Sequence, residues 1–278
     1  ERGHEVTLFE ADPEIGGQFN MAKRVPGKEE FHETLRYFRR QIDRQGVKLV
    51  LNKRITAQEL AQGGFDEIVL ATGVTPRRPA IDGVEHAKAL GYMDVLRHQQ
   101  PVGGSVALVG AGGIGFDVAE YLTQNGESAS LRPEKFYAEW GIDPEYRSAG
   151  GLRPPQPEAP ARQVHLLQRK TSKVGEGLGK TTGWIHRASL KARRVEMVAG
   201  VTYRRIDEAG LHLTVGEQER LLPVDTVVLC VGQEPQRELA DELRQAGCTV
   251  HLIGGADVAA ELDAKRAIDQ GVRLAAVI

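Results

Sequence analysis

The chain has 278 residues, 41% of them hydrophobic and 27% charged, with Lys+Arg 36 against Asp+Glu 38. That length accommodates about two domains of roughly 150 residues each, and the composition excludes wholesale disorder. A net charge of −2 offers no nucleic-acid footprint or polybasic membrane anchor, and Cys230 and Cys248 cannot build a disulfide framework or a four-thiolate site.

No apolar run approaches the roughly 20 residues that span a bilayer, so a cytoplasmic protein with no nucleic-acid or membrane partner is expected. Residues 1–5 read as the end of a helix with Gly3 at its C-cap, and 6–10 as a short buried strand ending in Glu10. This describes the second half of a dinucleotide-binding βαβ unit, whose acid lies about 20 residues past the glycine-rich turn and accepts from a ribose hydroxyl. The turn and the central strand before it are expected upstream of Glu1, in a longer protein. Taken alone, Glu10 also fits an acid that merely ends a strand beside solvent.

Gly16-Gly17-Gln18 follows, then an amphipathic helix over 31–45 with Phe31, Leu35, Phe38 and Ile42 at helical spacing and Gly46 as its cap. Strands are predicted at 47–51 and 65–70. The second ends in Ala71-Thr72-Gly73, small residues that let the backbone approach a ligand at the carboxyl end of a sheet. A strand at 105–109 opens a second unit and leads through Gly110–Gly115 into a helix over 116–124. Residues 126–161 are predicted to be irregular, an insertion or functional loop. Further strands are predicted at 163–168, 195–201, 211–215 and 226–231, the last ending in Gly232-Gln233-Glu234-Pro235. A short strand at 251–257 runs into a helix over 259–270. The predicted fold is α/β: two Rossmann-like dinucleotide-binding domains, for FAD and NADP, the second inserted in the first. The expected boundaries are 1–98 and 232–278 for the FAD domain, without its N-terminal strand and glycine loop, and 99–231 for the NADPH domain.

Gly110-x-Gly112-x-x-Gly115 is the strongest local motif, because it follows an apolar strand and opens a helix. Gly110 permits the tight turn, Gly112 lets backbone N–H groups reach a pyrophosphate, and Gly115 allows close helix–strand packing. Gly113 and Ile114 lie at the positive end of the helix dipole. At the end of the following strand, where a free ribose 2′-hydroxyl would call for Asp or Glu, stands Gln168-Arg169-Lys170. Two cations there suit a 2′-phosphate and favour NADP over NAD, against the alternative of a solvated basic turn. His186 has no partner at metal-ligand spacing and is expected to pack or line a pocket. Cys230 is expected in the core, and neither cysteine belongs to a C-x-x-C pair.

Ile15-Gly16-Gly17-Gln18-Phe19-Asn20, Pro26-Gly27-Lys28-Glu29-Glu30-Phe31, residues 179–187 (Gly179-Lys180-Thr181-Thr182-Gly183-Trp184-Ile185-His186-Arg187) and His251-Leu252-Ile253-Gly254-Gly255 carry a resemblance over essentially the whole chain. They resemble the bacterial NADPH-dependent 2,4-dienoyl-CoA reductases, flavoproteins related to trimethylamine dehydrogenase and enoate reductases. The resemblance implies a multidomain enzyme of unsaturated fatty acid β-oxidation. In it an N-terminal barrel holds FMN, a four-cysteine stretch holds a 4Fe-4S cluster, and a C-terminal region binds FAD and NADPH. This chain is similar to most of that last region, and its partner would be its own absent barrel and cluster part. Carried over by position, Glu10 would hold the FAD adenosine ribose, Gln18 and Lys28 would contact FAD, and Ile55 would meet it through its backbone. Asp257 would sit at the ribityl side, at the start of the last helix, while Arg169 and Lys170 would meet the NADPH 2′-phosphate. Gly17, Ala71, Thr72, Gly73 and Gly255 complete the expected cofactor-binding set. The implied reaction is hydride transfer from NADPH to FAD and electron departure to the cluster, with no catalytic acid–base side chain and no metal bound by this chain. Two alternatives are an enoate reductase or amine dehydrogenase relative, and a nucleotide-binding module without turnover.

Overall fold

The computed structural model describes residues 2–260 and 263–278. The first elements are β1 (Thr7–Phe9), α1 (Phe19–Ala22), α2 (Phe31–Arg44), β2 (Lys48–Val50), α3 (Ala57–Gln62), β3 (Ile68–Leu70), β4 (Val74–Pro76), β5 (Ala89–Gly91) and α4 (Tyr92–Leu96). Next come β6 (Ser105–Val109), α5 (Gly113–Thr123), α6 (Pro133–Trp140), β7 (Gln163–Leu167), α7 (Gly183–Ala192), β8 (Glu196–Val198), β9 (Val201–Asp207), β10 (Gly210–Val215) and β11 (Gln218–Leu222). The chain ends with β12 (Thr226–Leu229), β13 (Gln233–Pro235), α8 (Leu239–Gln245), β14 (Val250–Leu252) and α9 (Ala264–Ala275). These form two compact units: residues 1–17, 33–77 and 232–278, and, inserted between them, residues 18–32 and 78–231.

The inserted unit is built on a five-stranded sheet in the order β5-β12-β6-β7-β8, parallel throughout. Strands of such a sheet are covered on both faces and read as continuous apolar runs; Val106, Ala107, Leu108 and Val109 of β6 are all fully buried. From β6 the chain moves outward through β7 to β8, then returns to the other side of β6 as β12. The end of β6 is therefore a topological switch point, where open α/β sheets bind ligands. On one face α5 buries Phe116, Ala119 and Leu122. The antiparallel sheet β9-β10-β11 contributes Val201, Ile206, Leu211 and Leu213 to a second core with Ala107, Val109 and Val227.

The other unit holds the parallel pairs β1–β2 and β3–β14 and the antiparallel pair β4–β13. A small core of Ala57, Leu60, Ile68, Leu70, Ala240 and Leu243 joins α3 and α8 to the β3–β14 pair. Among the described residues β1 pairs only with β2, and β3 only with β14, so each has an unpaired edge. The middle residues of these apolar strands are open to solvent, Leu8 at 39% and Val69 at 40%.

Several expectations are corrected. No helix is assigned over residues 2–5, although Gly3 does have φ +93°; Glu1 lies outside the described residues. Residues 126–161 contain α6, started by Pro133 at its first turn and ended by left-handed Gly141, so the segment is not irregular throughout. The strand predicted at 195–201 is two, because Gly200 (φ +70°) turns the chain between β8 and β9. The last helix begins at Ala264, where the Asp263 carboxylate caps Arg266 N, and of the predicted 259–270 Glu261 and Leu262 lie outside the described residues. Asp257 therefore does not start that helix; it closes a 3-10 turn over Gly254–Ala256. Residues 18–32 and 78–98 pack with the inserted unit, because Met21, Val25, Tyr92, Val95 and Leu96 belong to its core.

Candidate dinucleotide sites

In the inserted unit, each glycine of the motif after β6 meets a different constraint. Gly110 has φ +112°, and a Cβ there would strike the carbonyl of Cys230. Gly115 faces the carbonyl of Gly110 across the first turn of α5, again with no room for a side chain. Gly112 and Gly113, by contrast, are exposed, and a Cβ at either would meet nothing within 4 Å. Gly112 supplies no side-chain cap to α5. The first-turn N–H groups, Ile114 included, have no intrahelical acceptor, and they lie at the positive end of the helix dipole beside the exposed Gly112 and Gly113. A dinucleotide pyrophosphate fits this cradle.

The next strand, β7, ends beside it. Leu167 O accepts from Gly110 N at 3.0 Å and from the Tyr203 hydroxyl at 3.1 Å, joining the glycine turn to the turn that carries Arg169 and Lys170. Both cationic side chains are exposed. Burial pushes the Tyr203 hydroxyl well above its ordinary range, so it stays a protonated donor. Burial does the same to the Cys230 thiol, which is a core residue as expected and not a thiolate.

Lys28 is tied by its Nζ to both oxygens of Asp117 on α5, at 2.6 and 2.7 Å. One turn on, the His186 Nδ1–H donates to Glu120 Oε1 at 2.8 Å, and this hydrogen bond raises the imidazole pKa. His186 is thus a packing residue that joins α7 to α5. Gln18 stands at the N-cap of α1 with its side chain exposed. Sequence reasoning did not find Asp117, Glu120 or Tyr203; each lies far along the chain from the group it serves, and no local spacing marks it.

In the other unit, Glu10 ends β1 half-buried, and its Oε1 accepts from Asp12 N at 3.0 Å, leaving Oε2 as an acceptor suited to a ribose hydroxyl. Gly17 has φ +47° and open space around it. Ile55 packs against the small core just before Thr56, the N-cap of α3. The structure gathers Ala71, Thr72, Gly73, Gly255 and Asp257 at the carboxyl end of the β3–β14 pair. Gly255 packs against the backbone of Gly73, where a Cβ would not fit, and the Thr72 hydroxyl donates to Gln236 O. Gln270, also missed from sequence, brackets this loop, accepting from Gly254 N and donating to Asp257 Oδ2, both at 2.8 Å. These residues fit the ribose and ribityl ends of a flavin nucleotide. No helix of the described residues is long and apolar enough to cross a membrane, and none of their His, Cys, Asp and Glu side chains form a group that could hold a metal ion.

A parallel sheet with a glycine cradle at its switch point, inserted in the sequence of a second α/β unit, defines a dinucleotide-binding protein. More particularly, residues 1–268 match the pyridine nucleotide-disulphide oxidoreductase family, and the chain belongs to it. It is 27% identical over 270 residues to a metal reductase of Desulforamulus reducens, a match covering 92% of this chain and 38% of that protein. It is 25% identical over 277 residues to a bilirubin reductase of Mediterraneibacter gnavus, covering all of this chain and 37% of the relative. Its fold is similar to that of a 2-naphthoyl-CoA reductase in complex with 2-naphthoyl-CoA, with TM-score 0.81 and 23% identity over all of this chain and 36% of that one. The chain thus spans a little over a third of the length of each of these three proteins.

Proposed function

We propose that the chain is the electron-entry region of an NADPH-dependent 2,4-dienoyl-CoA reductase, an enzyme of unsaturated fatty acid β-oxidation. In this reading the inserted unit holds NADPH and the other unit FAD, and electrons continue to a 4Fe-4S cluster and FMN in a barrel-bearing part of the same, longer polypeptide. When bound, NADPH would supply a hydride, and FAD would take it up and pass the electrons on one at a time. The chain's own residues bind and orient. The N–H groups at Gly112, Gly113 and Ile114 hold the pyrophosphate, Arg169 and Lys170 the 2′-phosphate, and Glu10 the flavin-side ribose. Such a step asks no side chain to move a proton, which agrees with a site built of glycines and charged anchors.

The observation that carries the cofactor choice is the Arg169–Lys170 turn, joined through Leu167 O to the glycine cradle. An acyl-CoA substrate is supported by the 2-naphthoyl-CoA reductase of similar fold. A longer polypeptide is supported by the unpaired edges of β1 and β3, and by α2 and α9, strongly amphipathic helices with no buried residue. Arg169→Ala tests the reading. It is expected to weaken NADPH binding by about 1.5–3 kcal/mol, as for a hydrogen bond to a charged group, and to leave NADH binding nearly unchanged. Isothermal titration reads both, and equal losses would contradict the assignment.

A further inference from the structure

Gln168 stands at the end of β7, where a carboxylate would read a free ribose hydroxyl. Its backbone is committed to the neighbouring strands: its N–H donates to Val198 O at 2.8 Å and its carbonyl accepts from Val201 N at 3.0 Å. The side chain turns back on the segment that follows. Gln168 Nε2 donates to the carbonyls of Lys170 at 3.1 Å and Ser172 at 2.8 Å, spanning the turn. Lys170 O also accepts from Gly200 N at 2.9 Å. The turn is thus laced from within and from the β8–β9 connection, while Arg169 and Lys170 remain exposed.

We infer that the Gln168 carboxamide is a positioning residue that sets the cofactor preference, by holding the Arg169–Lys170 turn in its phosphate-accepting form before the nucleotide arrives. The argument is one of donors. Only an N–H group can bridge the carbonyls of Lys170 and Ser172, and a carboxamide has one where a carboxylate has none. A Glu at this position would repel both carbonyls, release the turn and bring a negative charge beside the phosphate. A turn already ordered also spares the nucleotide the entropy of ordering it. This inference rests on the proposed NADPH site.

The test is calorimetric titration of the full chain with 2′,5′-ADP and with 5′-AMP, which differ by the phosphate alone. Gln168→Met keeps the length and removes the donor; it is expected to weaken 2′,5′-ADP about five- to tenfold and to change 5′-AMP by less than about twofold. Gln168→Glu is expected to lose more of the 2′,5′-ADP affinity and to gain 5′-AMP affinity. If Gln168→Met keeps the wild-type ratio while Arg169→Ala abolishes it, the positioning role is wrong and the NADPH site stands. If Gln168→Met weakens both nucleotides alike, its role is structural only and the inference falls. A wild-type chain that does not distinguish the two nucleotides overturns the NADPH reading itself.

Discussion

The Asp117 carboxylate sits on α5 one turn from Glu120, and burial pushes its pKa up while the Lys28 ammonium opposes the shift. The two side chains are 32% and 23% exposed, so this is a partly desolvated pair rather than a surface ornament. Removing one partner of such a pair leaves the other without compensation. Lys28→Met is expected to lower stability by about 1–3 kcal/mol in urea denaturation, less than for a fully buried pair. Adding Asp117→Asn should recover at least part of that loss, whereas strictly additive losses would show that the pair is not coupled. At this scale the sequence shows residues whose role is local. The glycines and Arg169–Lys170 act within a turn or at a strand end, and their spacing is visible in the chain. Lys28 meets Asp117 89 positions away, and Tyr203 meets Leu167 36 positions away; only the fold brings these together.

On the scale of the element, the turn from β6 into α5 divides its glycines between packing and binding. Gly115→Ala would drive a Cβ into the Gly110 carbonyl, and it is expected to destabilise the chain by about 1–3 kcal/mol, as overpacking does. Gly112→Asp enters open space at the N-cap of α5, with φ −83°, where an acid is a favourable cap. Its stability should stay within about 0.5 kcal/mol of wild type, while its carboxylate occupies the pyrophosphate cradle and lowers NADPH affinity at least about tenfold. Thermal melts and titrations on both variants check this, and a Gly112→Asp chain that binds normally would place the nucleotide elsewhere. Largely buried strands such as β6 and β12 were visible as apolar runs. The short β4, β5 and β13 were not, because β4 and β13 end in proline and β5 (Ala-Leu-Gly) holds no β-branched or aromatic residue, and the polar β11 shows three charged or amide residues in five. The start of α9 was missed because the Asp263 cap, not the Ala-rich stretch before it, decides where the helix begins.

For the whole molecule, the interrupted arrangement of two α/β units was visible in the order of strand-end motifs, since each motif marks the carboxyl end of a strand. The packing boundaries were not, because residues 18–32 follow the first strand in sequence yet bury Met21 and Val25 in the core of the inserted unit. Among the described residues the inserted unit has a five-stranded parallel sheet around its cradle, whereas the other has three separate two-stranded sheets. The proposed function gives NADPH to the inserted unit and FAD to the other. The most direct test is anaerobic mixing of NADPH with the flavin-loaded protein, following the absorbance of the flavin. Rapid bleaching by NADPH, and much slower bleaching by NADH, is the predicted result. A flavin that stays oxidised while NADPH is demonstrably bound would contradict the account.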